Sequence, residues 1–344
     1  MHFGETHMKV WKRFWQQNKE KKIIVIGIVL CVISMFASFC LGAVNLGFGG
    51  MWEALTHFGE QSLAGNILWK YRVPRTFACM VSGAALAVSG CVIQGVLANK
   101  LASPSTIGVN AGAGLAFTIC CAFDVINGWA IAVSTFAGSL LIVMIVSITA
   151  QKMNASRTTV ILAGVAINSF LNAATEAITS VYKDAAVMSA DFRVGGFQSV
   201  STVRLIPAAV LIVAALIVVM TLHNELDLMT LGEEMAQGLG LSVKKMRTIF
   251  LVLAALLAGA SVSFAGLLGF VGLIVPHMMR FFVGGENRYL IPMCALGGAI
   301  FVTLCDIPAR MMFGQFEVPV GVIISFIGGP FFIWMLLKKR GGRY

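Results

Sequence analysis

The chain has 344 residues, 58% of them hydrophobic and 12% charged. A soluble domain is nearer half apolar and a quarter charged, so this balance excludes a soluble globular protein and points to an integral membrane one. The net charge of +10 would suit nucleic acid if Lys and Arg gathered on one soluble face, but they fall in the connections between apolar runs, so no nucleic-acid partner is expected.

By length alone the chain could hold two soluble domains. About ten spans of roughly 20 residues with short connections use it all, leaving one membrane domain. The expected fold class is therefore all-α, a polytopic membrane protein of about ten transmembrane helices. Lys9, Lys12, Arg13, Lys19, Lys21 and Lys22 precede the first span, and Lys338, Lys339, Arg340 and Arg343 follow the last. The positive-inside rule then places both termini in the cytoplasm and makes the number of spans even. Residues 1–22 read as a basic cytoplasmic stretch, 23–337 as the membrane domain and 338–344 as a tail. The apolar run at 23–44 exceeds the roughly 7 to 15 residues of a signal-peptide core, so it reads as an uncleaved first span. The eight Cys residues show no CxxC spacing and read as buried packing residues rather than ligands or disulfides.

Residues 45–70 form a connection containing Trp52, His57 and Trp69, placed on the outer side because aromatic residues suit an interface. Pro74 marks the start of the second span, since its missing amide hydrogen has no intrahelical partner there. Gly83, Ala87 and Cys91 recur every four residues, a small-residue face that lets a neighbouring backbone approach closely. A polar turn at 99–104 follows, in which Ser103 is placed to cap a helix starting at Pro104. The third and fourth spans occupy about 106–123 and 126–150.

In the fifth span, 158–181, Asn168, Asn172, Glu176 and Ser180 recur every four residues and form one polar stripe on an apolar helix. Such groups at membrane depth face a bundle interior or water, and often mark a pathway. Residues 182–204 carry mixed charge and read as an outer segment with a short surface helix. The sixth span starts near Leu205, with Pro207 in its first turn.

Residues 224–247 are the longest polar stretch after the N-terminus. Within it 229–239 reads as one short amphipathic helix with Leu231, Met235 and Leu239 on a shared face, ended by Gly238 and Gly240. The seventh span, 248–268, leads into GFVGLIVPHMMRF, where glycines and Pro276 break the apolar run. This reads as a short broken helix whose freed backbone groups are satisfied by neighbouring protein. His277 has no partner at ligand spacing and reads as structural, so no metal site is expected. The last spans are 289–307 and 319–337.

The motifs RVPR, GAALAVSGCVIQGVLANKLASPSTIGVNAGAG, GLLGFVGLIVPHMMRF and EVPVGVIISFIGGPFFIWML follow one another in this order. With them the chain resembles, over nearly its whole length after about residue 20, the permease subunits of the iron-siderophore, haem and cobalamin class of ABC importers, the FecCD family. The resemblance implies a channel formed with a second permease copy or a paralogue, ABC ATPase subunits docked beneath, and an extracytoplasmic substrate-binding protein that delivers cargo, all at a bacterial cytoplasmic membrane. It implies that the stripe of Asn168, Asn172, Glu176 and Ser180 borders the translocation pathway. Asn99, Leu101, Ser156 and Arg157 match positions near the cytoplasmic gate. LGEEMAQGLGLS matches the loop that docks on the ATPase, with Gly232, Glu233, Ala236, Leu239 and Gly240 as coupling residues. Arg72, Arg75 and Arg310 match outer-end arginines that pair with acidic residues of the binding protein. One departure is Lys100, where the family more commonly has proline after the Asn.

No Lys in the chain is followed by Ser or Thr, so the sequence carries no phosphate-binding GxxxxGK[ST] loop. HExxH and GxSxG are absent too. The chain therefore reads as a non-enzymatic transport subunit without a cofactor of its own, ATP and Mg belonging to the partner ATPase. The expected cargo is an iron chelate, first a ferric siderophore, with haem and cobalamin as alternatives. A reading from another class is a carrier driven by an ion gradient, with Glu176 as the proton-coupling carboxylate. Against it stand the match to the coupling loop and the lack of another membrane-buried charged partner.

Overall fold

The computed structural model describes residues 3–42, 63–125, 127–152, 156–312 and 316–340. Trp52, His57 and Arg343 lie outside them. Helix α1 (Phe3–Cys40) is followed by α2 (Leu63–Asn66), a π-helical turn (Ile67–Arg72) and α3 (Val73–Val96). A 3-10 turn (Pro104–Ile107) then leads to α4 (Val109–Ala122), α5 (Gly128–Lys152), α6 (Arg157–Val181) and α7 (Lys183–Val194). Next come α8 (Thr202–Thr221), α9 (His223–Thr230), α10 (Glu233–Gly238) and α11 (Val243–Ala265). The chain closes with α12 (Val271–Val283), α13 (Asn287–Met311) and α14 (Val320–Arg340). Eight of these stretches are long and apolar enough to cross a membrane, and α4 and α12 are two shorter apolar helices.

Helix α3 is the centre of the bundle, packed against α11, α12 and α13. Its small residues explain why. A Cβ built at Gly83 would lie 2.1 Å from the carbonyl oxygen of Gly298 on α13, and one at Gly90 would lie 1.8 Å from that of Gly272 on α12. Backbones can touch only where both sides lack side chains, which is the packing logic of apolar helices without a hydrophobic drive between them. The face of Gly83, Ala87 and Cys91 expected from spacing is thus buried against α13, and Gly90 opens a second close crossing. Hydrogen bonds add to the contact with α11: Ser82 and Ser261 share one at 2.6 Å, and the Ser89 hydroxyl donates to Ala254 O at 2.7 Å.

Several local expectations need correction. Helix α3 has Pro74 in its first turn, as its missing amide hydrogen predicts, but the span itself begins earlier. The candidate span runs from Ala64 to Val96, through α2 and the π-helical turn that precedes Val73. Ser103 precedes only one 3-10 turn, and α4 restarts after Gly108, whose φ of 95° is the left-handed conformation glycine tolerates best. Ser103 is the N-cap of that turn as expected, and its N–H donates to Thr106 Oγ1 at 3.2 Å in a capping box. Pro207 sits inside α8 rather than in its first turn, because the helix begins at Thr202. The broken eighth element breaks at residues 266–270, and α12 runs continuously through Pro276. There the exposed backbone groups are satisfied as anticipated: Leu267 N donates to Phe192 O at 2.9 Å and Gly196 N to Ala265 O at 2.8 Å. Finally, 229–239 is not one helix. Gly232, at φ 112°, separates α9 from α10 and leaves Met229 buried in the first of them.

Candidate functional site

At one end of the bundle, α3 and α13 bring Arg75 and Arg310 onto Asp306, which is fully buried, and Arg72 ends the π-helical turn beside the same cleft. Arg75 Nη2 lies 2.9 Å from Asp306 Oδ1, and its Nη1 also pairs with Glu317. Arg310 reaches the other carboxylate oxygen at 3.0 Å and donates to Ser38 Oγ at 2.7 Å. Arg72 donates to the carbonyls that end α1, Phe39 O at 2.7 Å and Cys40 O at 2.9 Å. All three arginines are buried, so much of their donor capacity is spent within the chain. They nevertheless line a cleft of about 380 Å³ whose rim includes exposed Lys70 and Tyr71 and the side chains of Gln198 and Glu317.

Sequence reasoning missed Asp306, and the supposed lack of a second membrane-buried charge is corrected by it. The readable signal was its spacing of four from Arg310 on a helical run; its other partner, Arg75, is 231 positions away.

The polar stripe of α6 divides. Asn168 Nδ2 donates to Ser105 O at 2.7 Å, fastening the helix to the 3-10 turn, and Gly164 lets α6 approach the Thr106 carbonyl. Asn168 and Asn172 open into a cleft of about 420 Å³ shared with Ser105, Asn110, Thr175 and Arg193. Glu176 and Ser180 lie further along and are exposed, the Ser180 hydroxyl donating to Glu176 O at 2.8 Å. Phe170 and Leu162 are exposed on the same helix. Helix α6 therefore stands at the edge of the bundle, attached along a narrow line that includes Val160, Gly164, Leu171 and Thr175.

At the opposite end of the bundle from Asp306, the side chain of Asn99 shapes its own turn, its Oδ1 accepting from Leu101 N at 2.9 Å. Ser156 caps α6 by accepting from Thr159 N at 3.3 Å. Arg157 reaches away from this turn to α9, where its Nη2 donates to Met229 O at 2.7 Å, and its Nε forms an ion pair with Glu233 on α10 at 3.6 Å. Arg247 on α11 donates to the same Glu233 oxygen. Within residues 231–240 Ala236 is fully buried and anchors α10, whereas Leu231, Met235 and Leu239 are 54%, 59% and 61% exposed. Those three form an apolar patch on an otherwise polar segment. Gly232 and Gly240 both hold positive φ and border open space.

His277 lies on α12, its ring edge-on to Phe331 at 6.0 Å, in an apolar groove with Phe281, Phe282 and Trp334. Of the eight cysteines all are free and seven are buried, Cys40 being exposed.

The described residues form a many-helix bundle with a polar peripheral helix, a charged cluster at one end and exposed apolar side chains on a loop at the other. The chain belongs to the FecCD transport family, whose pattern it matches over residues 30–338. It is an ABC transporter permease, a membrane protein of that family. It is 33% identical to the hemin transport system permease protein HmuU of Yersinia pestis, covering 92% of this chain and 95% of that one. It is also 33% identical to the iron(3+)-hydroxamate import system permease protein FhuB of Bacillus subtilis, covering 93% and 84% respectively. Its fold matches the inward-facing conformation of a metal-chelate type ABC transporter with a TM-score of 0.83 and 25% identity, over 92% of this chain and 99% of that one. Membership in an ABC family leaves the reading as an ion-driven carrier without support.

Proposed function

We propose that this chain is the permease of a binding-protein-dependent importer that moves an iron chelate, first among candidates a ferric siderophore, inward across the cytoplasmic membrane. The observation that carries the reading is the exposed patch of Leu231, Met235 and Leu239 on a glycine-bounded segment. An apolar stripe of that kind on a polar loop is a contact surface awaiting a partner, and in a permease without a nucleotide loop the partner is an ATPase subunit. The patch then lies on the cytoplasmic side with both chain termini, and the Arg72, Arg75 and Arg310 cleft faces outward. There exposed Lys70 gives the cleft a positive rim for acidic side chains of a binding protein, with the buried guanidiniums of Arg72, Arg75 and Arg310 behind it.

Two copies, or this chain with a paralogue, would place their α6 helices face to face and enclose the exposed stripe of Asn172, Glu176 and Ser180. Asn99, Leu101, Ser156 and Arg157 then surround the cytoplasmic end of that path. Nucleotide-driven closure of the ATPases would shift the coupling segments and bias a two-state gate. A polar, hydrogen-bonding lining without a ring of one charge suits a bulky chelate. Equal identity to a hemin and to a hydroxamate permease gives no preference between those cargoes, and haem and cobalamin stand as alternatives.

The test is uptake by cells lacking this protein and by complemented cells, with labelled ferric hydroxamates, ferric catecholates, ferric citrate, haem and cobalamin. Loss and rescue of one ferric chelate supports the reading. Loss confined to haem or cobalamin moves the cargo and keeps the importer. Uptake unchanged for every compound in a strain without related permeases overturns it.

A further inference from the structure

Three separate elements meet at the carboxylate of Glu233. Arg157 opens α6, Arg247 lies in the first turns of α11, and Glu233 opens α10. Arg247 donates to Glu233 Oε1, Arg157 Nε lies 3.6 Å from the same oxygen, and Arg157 Nη2 holds the Met229 carbonyl of α9. The two guanidiniums are largely buried, at 18% and 9% side-chain exposure. The carboxylate sits between them on the face of α10 that turns toward the bundle, with buried Ala236 beside it, while Met235 and Leu239 point away.

This arrangement matters because of what it joins. Segment α10 is six residues long and lies between Gly232 and Gly240, both at positive φ with nothing within 4 Å of a built Cβ, so neither end is held by side-chain packing. Helix α6 meets the bundle along the face of Val160, Gly164, Leu171 and Thr175, with Ile161 and Ile167 half-buried beside it, and exposes its other face. Its far attachment is the 3-10 turn, through Gly164 on Thr106 and Asn168 on Ser105. The Glu233 to Arg157 contact therefore lies between the loop that meets the ATPase and the helix that carries the polar stripe. Helix α11 is buried along most of its length and supplies, through Arg247, the fixed side of the joint.

We propose that Glu233 is a positioning residue that transmits movement of the coupling segment to α6, with Arg157 as its receiving partner and Arg247 as the anchor. The inference rests on the reading of this chain as an ATPase-driven permease. It assigns Glu233 a mechanical role distinct from ATPase docking, which the proposed function gives to the exposed Leu231, Met235 and Leu239. A physical coupling path requires an element whose position both sites bias, and α6 is that element.

The test uses the full chain in complex with its ATPase, in nanodiscs, with Cys40→Ser removing the exposed thiol and spin labels at Leu162→Cys on α6 and Val210→Cys on α8, both exposed. The probe is ATP with Mg²⁺ and orthovanadate, and the readout is the change in label separation on adding it, with ATPase copurification measured in parallel. In the parent the separation changes. In Glu233→Gln and Arg157→Gln the change is lost while the ATPase remains bound, and Arg157→Lys recovers it; Glu234→Gln, exposed on the same helix, keeps it. An undiminished change in Glu233→Gln overturns the proposal. Loss of the ATPase from Glu233→Gln also overturns it, because the carboxylate is then a docking contact. If the parent neither binds an ATPase nor responds to nucleotide, the reading of the chain as an ATPase-driven permease falls, which is distinguishable from either result.

Discussion

Gly83 on α3 and Gly298 on α13 meet backbone to backbone: a Cβ built on either would lie 2.1 Å from the other's carbonyl oxygen. No side-chain rotation relieves a clash with a carbonyl, so the helices must separate to admit even a methyl group. Gly83→Ala and Gly298→Ala should each cost about 1–3 kcal/mol, the range for overpacking a well-packed core. The measurement is denaturant unfolding of the purified protein in detergent. Gly285→Ala serves as the control, since a Cβ there meets nothing within 4 Å. Wild-type stability in both core variants would mean that the α3–α13 crossing is looser than described.

Asp306 makes a second prediction. It is fully buried between Arg75 and Arg310, whose side chains are 11% and 4% exposed. Removing the shared carboxylate leaves two buried guanidiniums facing one another, and breaking a buried pair from one side costs about 3–5 kcal/mol. Asp306→Ala should therefore fall sharply in membrane abundance and thermal midpoint. Glu317→Ala removes a carboxylate that is about one-third exposed, for which about 0–1 kcal/mol is the expected scale. Equal effects in the two variants would show that Asp306 is not the centre of the cluster.

The contrast between these two sites explains what could be read from the chain. Gly83, Ala87 and Cys91 announce a close helix contact because the period of a helix is fixed, so spacing alone shows that they share a face. Span positions were legible for the same reason, since apolar length maps directly onto membrane thickness. Which partner takes that face is a tertiary fact, and neither Gly298 nor Asp306 signals a partner more than two hundred residues away. The break at Gly232 was hidden by a continuous apolar spacing across it, because Leu231, Met235 and Leu239 recur every four residues whether or not the backbone between them is one helix. Glu233 was legible as a loop residue through family resemblance, but its two arginine partners were not.

The positive cleft supplies a third prediction. Charge reversal at Arg310 is a poor test of docking, because that side chain is committed to Asp306 and Ser38. Lys70 is exposed on the same rim. Lys70→Glu should weaken association of the complex with its binding protein by several-fold, and the loss should shrink as salt rises, since an exposed contact is screened beyond roughly 8–10 Å at moderate ionic strength. Surface-immobilised complex titrated with binding protein at two salt concentrations measures both effects. Unchanged affinity would locate the docking surface elsewhere.

Gly240 carries the last prediction. Its φ of 86° belongs to the left-handed region, yet a Cβ there meets no atom within 4 Å. Gly240→Val therefore introduces backbone strain without a steric clash, about 1–2 kcal/mol for an L-residue held in that region. The strain is confined to a loop outside the packed bundle, so insertion into the membrane and overall stability should stay near wild type. The loop relieves it by changing conformation, and Leu239, next in sequence and 61% exposed, changes direction with it. Uptake by Gly240→Val should fall several-fold while the ATPase continues to hydrolyse ATP. Gly238→Ala, two residues away with open space and no positive φ, should transport normally. Normal uptake by both would mean that the path of the loop past Leu239 does not set the contact with the ATPase, whereas loss in both would point to the whole α10 segment rather than to the glycine turn that ends it.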